Sequence, residues 1–345
     1  MDGFHVSLAA FRNIPEFSYT FEKGIYPIIG ANGSGKTSFL EAIHVVANIR
    51  SFRTNVLKEC IAKKEKSCCI TLQENDTTRQ IALFHDKKNI LLNGFSPLNL
   101  TEYLQQRAVI SLTPDDINLT DNTSTSRRKF FDRGIFYDDA GYLSELTLFQ
   151  KILRHRNAVL RQNDQRSLPY WDDQYIPAAT TLYKKRFLYF ERLQQKLNSI
   201  EKELSLSKKI ELFLPSSQKK SFFDDEQFRH DLHEKQADDL HYGYTSIGPH
   251  REEITLLYGG MNSGKYASYG EKRFIAIILK LAQILLMQEA KTTFPIILID
   301  EMSAGLDHTY SKALLDIFIT FPTTLIVTST TPFPAEIRTN ETLQF

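Results

Sequence analysis

The chain has 345 residues, of which 42% are apolar and 24% charged, and its net charge is +1. That length and balance fit a soluble globular protein of about two domains and exclude disordered and collagen-like chains, and a near-neutral total means that any nucleic-acid binding must come from a local basic face. The longest apolar run, Phe274 to Met287, is broken by Lys280 and falls short of the roughly 20 residues a bilayer needs, so no membrane association is expected.

In chain order, MDGFHVSLAAFRN reads as a first strand and lacks the basic-then-apolar order of a secretion signal. Ile25 to Ile29 is a second short apolar run, inside which Pro27 removes a ladder donor and shortens the expected strand. Directly after it, Gly30 to Thr37 (GANGSGKT) matches G-x-x-x-x-G-K-[ST]. Phe39, Ile43, Val46 and Ala47 then recur at helical spacing, so the loop opens onto a helix whose N-terminal amides and dipole favour phosphate. Gly30, Ala31, Asn32, Gly33, Ser34 and Gly35 would wrap the anion. Lys36 would reach the β and γ phosphates of ATP, and the Thr37 hydroxyl would ligate Mg2+. Cys60, Cys68 and Cys69 fit neither a disulfide framework nor zinc spacing, which points to a reducing, cytoplasmic setting.

The middle of the chain changes texture after the polar cluster Thr120 to Ser126. Leu143 to Leu160 and Thr180 to Leu206 carry apolar residues at three- and four-residue spacing, as amphipathic helices do. The intervening Arg161 to Pro177, polar and holding Pro169 and Pro177, reads as a loop, giving an antiparallel helical pair. Arg127 to Lys220 holds nineteen Lys and Arg against eleven Asp and Glu, whereas Ser221 to Leu240 is net −5. These runs are either solvated helix faces or a basic face for phosphates, and Arg53, Arg127, Arg128 and Lys129 are the candidate contacts to DNA or nucleotide.

Beyond Tyr242 the pattern returns to short strands and helices. Ser268 and Glu271 form a capping box, S-x-x-E, before an apolar helix, and Ser268 to Arg273 (SYGEKR) also resembles the signature motif of ABC-type ATPases, which makes Ser268 and Gly270 candidate γ-phosphate contacts in a second subunit. Pro295 to Glu301 (PIILIDE) is an apolar strand ending in acids. Asp300 would hold Mg2+, and Glu301 would orient or deprotonate the attacking water, joining Lys36 as a catalytic residue. Ser303-Ala304-Gly305-Leu306-Asp307 follows as a D-loop stretch. Thr328-Ser329-Thr330 stands at the end of the last apolar run, where ABC-type ATPases usually carry the His of a switch loop, and by that resemblance Thr328 would still donate a hydroxyl to a γ-phosphate oxygen. His44, His85 and His308 are assigned no role, and His250 is read as part of a structural turn.

Taken with FRN (Phe11 to Asn13), SFRT (Ser51 to Thr54), TPDDINL (Thr113 to Leu119), RRKFFDR (Arg127 to Arg133) and TSIGPHREE (Thr245 to Glu253), all in order, the chain resembles the RecF family of the ABC/SMC/Rad50 superfamily. The resemblance implies an α/β ABC-type ATPase head, a P-loop sheet with helices, plus an inserted helical arm domain. Residues 1–125 and 242–345 would form the head and 126–241 the arm. It further implies a slow, DNA-stimulated ATPase that dimerises on ATP, binds duplex DNA beside single-strand gaps, and works with RecR and RecO to place RecA in repair, replication restart and the SOS response. Departures from the family are Glu301 where a second Asp is usual, Glu271 in place of Gln, and Ala304 in place of Ser. Among rival readings, a transporter motor is disfavoured by the 240 positions between Gly30 and Gly270. The alternative is an SMC/Rad50-like structural ATPase head with a different partner, although about a hundred helical residues are too few for its long arm.

Overall fold

The computed structural model describes residues 3–121, 124–290, 294–301, 308–330 and 339–345. By internal contacts the chain forms two compact units: Met1–Ile117, Tyr269–Lys280 and Lys291–Phe345 in the first, and Asn118–Ser268 with Leu281–Ala290 in the second. The boundaries read from sequence, 125/126 and 241/242, both fall inside the second unit by this division.

The first unit opens with a hairpin of β1 (Phe4–Phe11) and β2 (Ile14–Phe21), then β3 (Gly24–Ile29) and α1 (Lys36–Asn48). Strands β4 (Ser67–Glu74), β5 (Thr77–Phe84) and β6 (Lys88–Leu92) follow, then the short helix α2 (Leu100–Leu104) and β7 (Val109–Leu112). An antiparallel sheet forms in the order β2-β1-β4-β5-β6. Its strands alternate, with Phe4, Val6, Leu8, Ile70, Leu72, Ile81 and Leu83 turned into the core. Twelve of the thirteen residues of α1 are buried, the pattern of a helix covered on all sides rather than on one stripe.

The second unit contains α3 (Ser124–Asp138), α4 (Tyr142–Arg161), α5 (Leu168–Glu203), β8 (Ile210–Phe213), α6 (Asp225–Glu234), α7 (Gln236–Tyr242), β9 (Thr255–Tyr258), β10 (Met261–Asn262) and α8 (Ser263–Tyr266). The helical pair is present, but the loop is much shorter than expected: α5 begins at Leu168 and runs through Pro177. A proline inside a helix costs roughly 3 kcal/mol, and burial of Tyr175, Ile176, Ala179, Leu182 and Tyr183 around it offsets that cost. At the centre of this unit the fully buried Arg156 on α4 donates to Asp172 on α5 (2.7 Å) and to Asp239 on α7 (2.8 Å). Arg186 on α5 likewise reaches Asp132 on α3 (2.8 Å) and the Pro249 carbonyl (2.6 Å). Part of the basic excess seen in sequence is therefore interior.

The chain continues with α9 (Tyr269–Ala290), β11 (Ile296–Ile299), α10 (His308–Ile319), β12 (Thr324–Ser329) and β13 (Leu343–Gln344). A parallel sheet, ordered β13-β3-β12-β11-β7, completes the first unit. Pro27 does not shorten β3. Ile25 and Ile29 use their backbone groups on the 340–345 side, through the Asn340 amide and the Phe345 amide. Pro27 shares their parity, so its missing N–H faces the gap before β13 begins and the ladder to β12 is intact. Among the described residues no helix is long and apolar enough to cross a membrane.

Candidate functional site

The loop from Gly30 to Gly35 joins β3 to α1 through two left-handed glycines, Gly33 (φ 82°) and Gly35 (φ 119°), conformations that a side chain would disfavour. The first amides of α1, which no intrahelical acceptor can satisfy, point into the loop's concavity and make it an anion site. Lys36 is 5% exposed and its ammonium donates to the carbonyls of Gly30 (2.6 Å) and Ala31 (2.9 Å), so the loop's own backbone holds the lysine over the cradle. Ser34 Oγ is buried with no hydrogen-bond partner among the described residues. A buried hydroxyl left unpaired, beside a lysine and free amides, fits a triphosphate.

At the end of β11 the carboxylate of Asp300, 5% exposed, accepts from the Thr37 hydroxyl (3.0 Å) and from the Thr328 hydroxyl (2.8 Å) on Oδ1. Thr37 and Asp300 together form a hard oxygen donor set suited to Mg2+. The Thr328 hydroxyl also accepts from the Glu301 amide (3.0 Å). Its proton is thus committed to Asp300 rather than offered towards a phosphate, a different placement from the one expected. Glu301 itself adopts φ 51°.

A second polar centre was not anticipated. Glu41, five residues into α1 and fully buried, accepts from Arg12 (2.7 and 3.0 Å), from the Ser51 hydroxyl (2.5 Å) and from Arg53 (3.3 Å). Burial pushes its carboxyl up, but the hydrogen bonds from Arg12 and Ser51 and the charges of Arg12 and Arg53 outweigh that and hold it below the usual value. Burial, and after it the charge of the same carboxylate, pushes the Cys60 thiol up to about 12, which makes that cysteine unreactive. The only sequence signal was one acid in an apolar helical run. Glu41 thereby ties FRN to SFRT, and Asn13 donates to the Gly33 carbonyl (3.1 Å) of the phosphate loop.

These parts open into one cavity of about 890 Å³, lined among others by Arg12, Asn13, Asn32, Gly33, Gly35, Lys36, Thr37, Arg53 and Glu301. The phosphate loop, Glu301 and Arg53 therefore border a common space. Of the four basic candidates, Arg53 lies here and Lys129 is exposed on α3. Arg127 is a correction: it is 6% exposed, and its donors go to the carbonyls of Ile254, Leu119 and Asp121, so it is unavailable to a phosphate. Arg128 is half-buried and donates to the Glu252 carbonyl (2.7 Å) and the Thr125 hydroxyl (3.1 Å). Ser268 is exposed immediately before α9, and Gly270 lies in that helix's first turn. The D-loop residues Ser303 to Asp307 lie outside the described residues. His250 is structural, with Nε2 against the Thr245 carbonyl (3.0 Å) and Nδ1 near the Tyr175 hydroxyl (3.5 Å).

Residues 5–333 match the family described as "RecF/RecN/SMC N terminal domain". The DNA replication and repair protein RecF of Acholeplasma laidlawii is 30% identical over 306 residues, covering 88% of this chain and 86% of its own. Its namesake from Streptococcus pyogenes serotype M1 is 30% identical over 350 residues, 96% and 94% of the two chains. A solved structure described as the recombination mediator protein RecF-ATP in the RecFOR pathway superposes with a TM-score of 0.86 at 25% identity, covering 97% of this chain and 94% of that one. The Smc head domain from Pyrococcus furiosus shares the fold, with a TM-score of 0.53 at 16% identity over 95% of this chain and 89% of its own.

Proposed function

The chain belongs to the RecF family of DNA replication and repair proteins, and from that premise we propose that it is an ATP-switched DNA clamp whose nucleotide is covered by a second copy of itself. At the coarser level it is an ATPase head of the recombination-mediator type. The observation that carries the clamp reading is a division of labour. The cavity is lined by Lys36, Thr37 and Glu301, yet Gly270 of the signature is not among its lining residues in the same unit. In this reading the γ-phosphate of a nucleotide bound at Gly30 to Thr37 would be covered by Ser268 and Gly270 of a partner head.

Lys36, the loop amides and Ser34 would bind the triphosphate, Arg53 would add positive charge at the cavity wall, and Mg2+ held by Thr37 and Asp300 would neutralise phosphate charge when bound. Glu301 would orient or deprotonate the attacking water, aided by Lys36, and slow hydrolysis would reopen the dimer. DNA would be held through phosphates by Lys129 and other exposed arm lysines and arginines rather than by Arg127, without base reading. Duplex beside single-strand gaps as the target, DNA stimulation of the ATPase, and cooperation with RecR, RecO and RecA in the cytoplasm are carried over from the family. The relative described within the RecFOR pathway supports that placement.

The test is the solution mass of Glu301→Gln, in which hydrolysis falls to a residual rate and ATP persists through the measurement, with ATP or ADP and with or without gapped duplex. A dimer only with ATP, strengthened by DNA, is expected. A monomer under every condition reduces Ser268 and Gly270 to a helix cap and the protein to a monomeric P-loop ATPase.

A further inference from the structure

Arg273 stands three residues after Gly270 on α9 and is only 4% exposed. Its Nη2 donates to the Glu301 carbonyl across 2.5 Å and, more weakly, to the Asp300 carbonyl across 3.4 Å. Nε and Nη1 are buried and meet no acceptor among the described residues. Such an arrangement is costly, because each buried donor left unmade forfeits its hydration. Burial accordingly pulls the guanidinium below its usual basicity.

At the other end of this contact Glu301 occupies the left-handed region, φ 51°, which a non-glycine residue keeps only where its surroundings impose it. Two contacts grip it there: the Thr328 hydroxyl takes its N–H, and Arg273 takes its C=O. With both peptide groups pinned, the direction of the Cα–Cβ bond is set, and Glu301 lines the cavity that Lys36 and Thr37 also line.

We propose that Arg273 is a positioning residue for ATP hydrolysis: through the Glu301 carbonyl it holds the strained backbone that aims the Glu301 carboxylate into the nucleotide cavity, and so ties the start of the signature helix to the acid that handles water. Among the described residues no carboxylate side chain accepts a hydrogen bond from the guanidinium, so displacement of the helix start is felt at the Glu301 carbonyl. The inference rests on the reading of Glu301 as the water-directing acid.

The experiment compares steady-state ATP turnover and fluorescent-nucleotide affinity for the full chain and for Arg273→Ala, Arg273→Lys, Glu301→Gln and the Arg273→Ala/Glu301→Gln double variant. Arg273→Ala should lower kcat by about tenfold or more while KM and nucleotide affinity stay within about twofold. Arg273→Lys, which retains one donor for the carbonyl, should recover a large part of the rate. In the Glu301→Gln background the further loss should vanish, because no carboxylate is left to aim. A rate for Arg273→Ala within about twofold of the parent overturns the proposal. So does a loss of equal size in the Glu301→Gln background, or a loss matched by nucleotide affinity. Should Arg273→Ala fail to fold by circular dichroism, Arg273→Gln takes its place in the same cycle. If Glu301→Gln itself turns over normally, the assignment of Glu301 fails first and takes the proposal with it.

Discussion

Thr37, in the first turn of α1, donates its hydroxyl to Asp300 at the end of β11 across 3.0 Å, although 263 residues separate them in sequence. The oxygen donors suited to a divalent cation are therefore already together on two rigid elements, and little reorganisation is needed for an ion to bind. Asp300→Asn keeps the shape but removes the charge. It should weaken ATP binding in the presence of Mg2+ by about tenfold or more while leaving metal-free nucleotide binding nearly unchanged, as read by fluorescent-nucleotide titration with and without the cation. Equal losses in both titrations would remove Asp300 from the cation site.

Glu41 offers a stability test. Replacing it with Gln leaves Arg12 and Arg53 without their shared counter-charge, and because both arginines reach solvent the cost should be about 2 kcal/mol, below the usual figure for a fully buried pair. Its folded value is depressed, so its contribution is complete above the ordinary carboxyl value of 4.5 and fades as pH falls through the lower folded one. The difference in urea midpoint between parent and Glu41→Gln should accordingly shrink below pH 4.5. A gap that stays constant down to strong acid would contradict the ionised assignment.

His250 titrates in a different window. Burial pushes it down from 6.5 to about 4, so the unfolded chain takes up a proton first, and stability present above 6.5 is lost as pH falls towards 4. Fully expressed, that difference corresponds to about 3 kcal/mol. His250→Gln, which retains a donor for the Thr245 carbonyl, should flatten the denaturant midpoint between neutral pH and pH 4.5 relative to the parent. If both proteins decline in parallel, other groups carry the acid sensitivity.

Arg127 and Lys129 should separate by salt dependence. Loss of a true phosphate contact lowers the magnitude of the log-affinity against log-salt slope by about 0.9. Lys129→Ala should show that change for duplex DNA. Arg127→Ala should leave the slope intact and instead lower the melting midpoint, because three carbonyls lose their donor. The reverse pattern would return Arg127 to the interface.

The phosphate loop was legible because its chemistry is local: eight consecutive residues carry the glycines, the lysine and the hydroxyl, and the backbone would supply most of the anion contacts. Asp300 was legible for a similar reason, as an acid closing an apolar strand. Glu41 was not, since it is a single charge inside an apolar helical run, and neither was Arg273, which follows Glu271 and Lys272 at a charged helix start where nothing marks it as the inward one; the partners of both lie elsewhere in the sequence. Arg127 was misread by the opposite error: consecutive charges on a helix point in different directions, so Arg127 turns inward while Lys129 faces water. Pro177 was given more weight as a helix breaker than the apolar contacts around it allow.

The neighbours of β3 have a consequence for how the protein is made. Ile25 pairs with Leu325 and Ile28 with Leu343, so the strand that presents the phosphate loop is flanked only by segments synthesised roughly 300 residues later. At ribosomal speeds of about 5–20 residues per second, that strand waits about 15–60 seconds with both edges open. The nascent chain thus carries a GANGSGKT segment whose strand lacks its neighbours, and nucleotide is expected to bind only after translation has delivered β12 and β13. A ribosome-stalled chain ending before Thr324 should accordingly retain no ATP, and its bare β3 edges make it a client for chaperones.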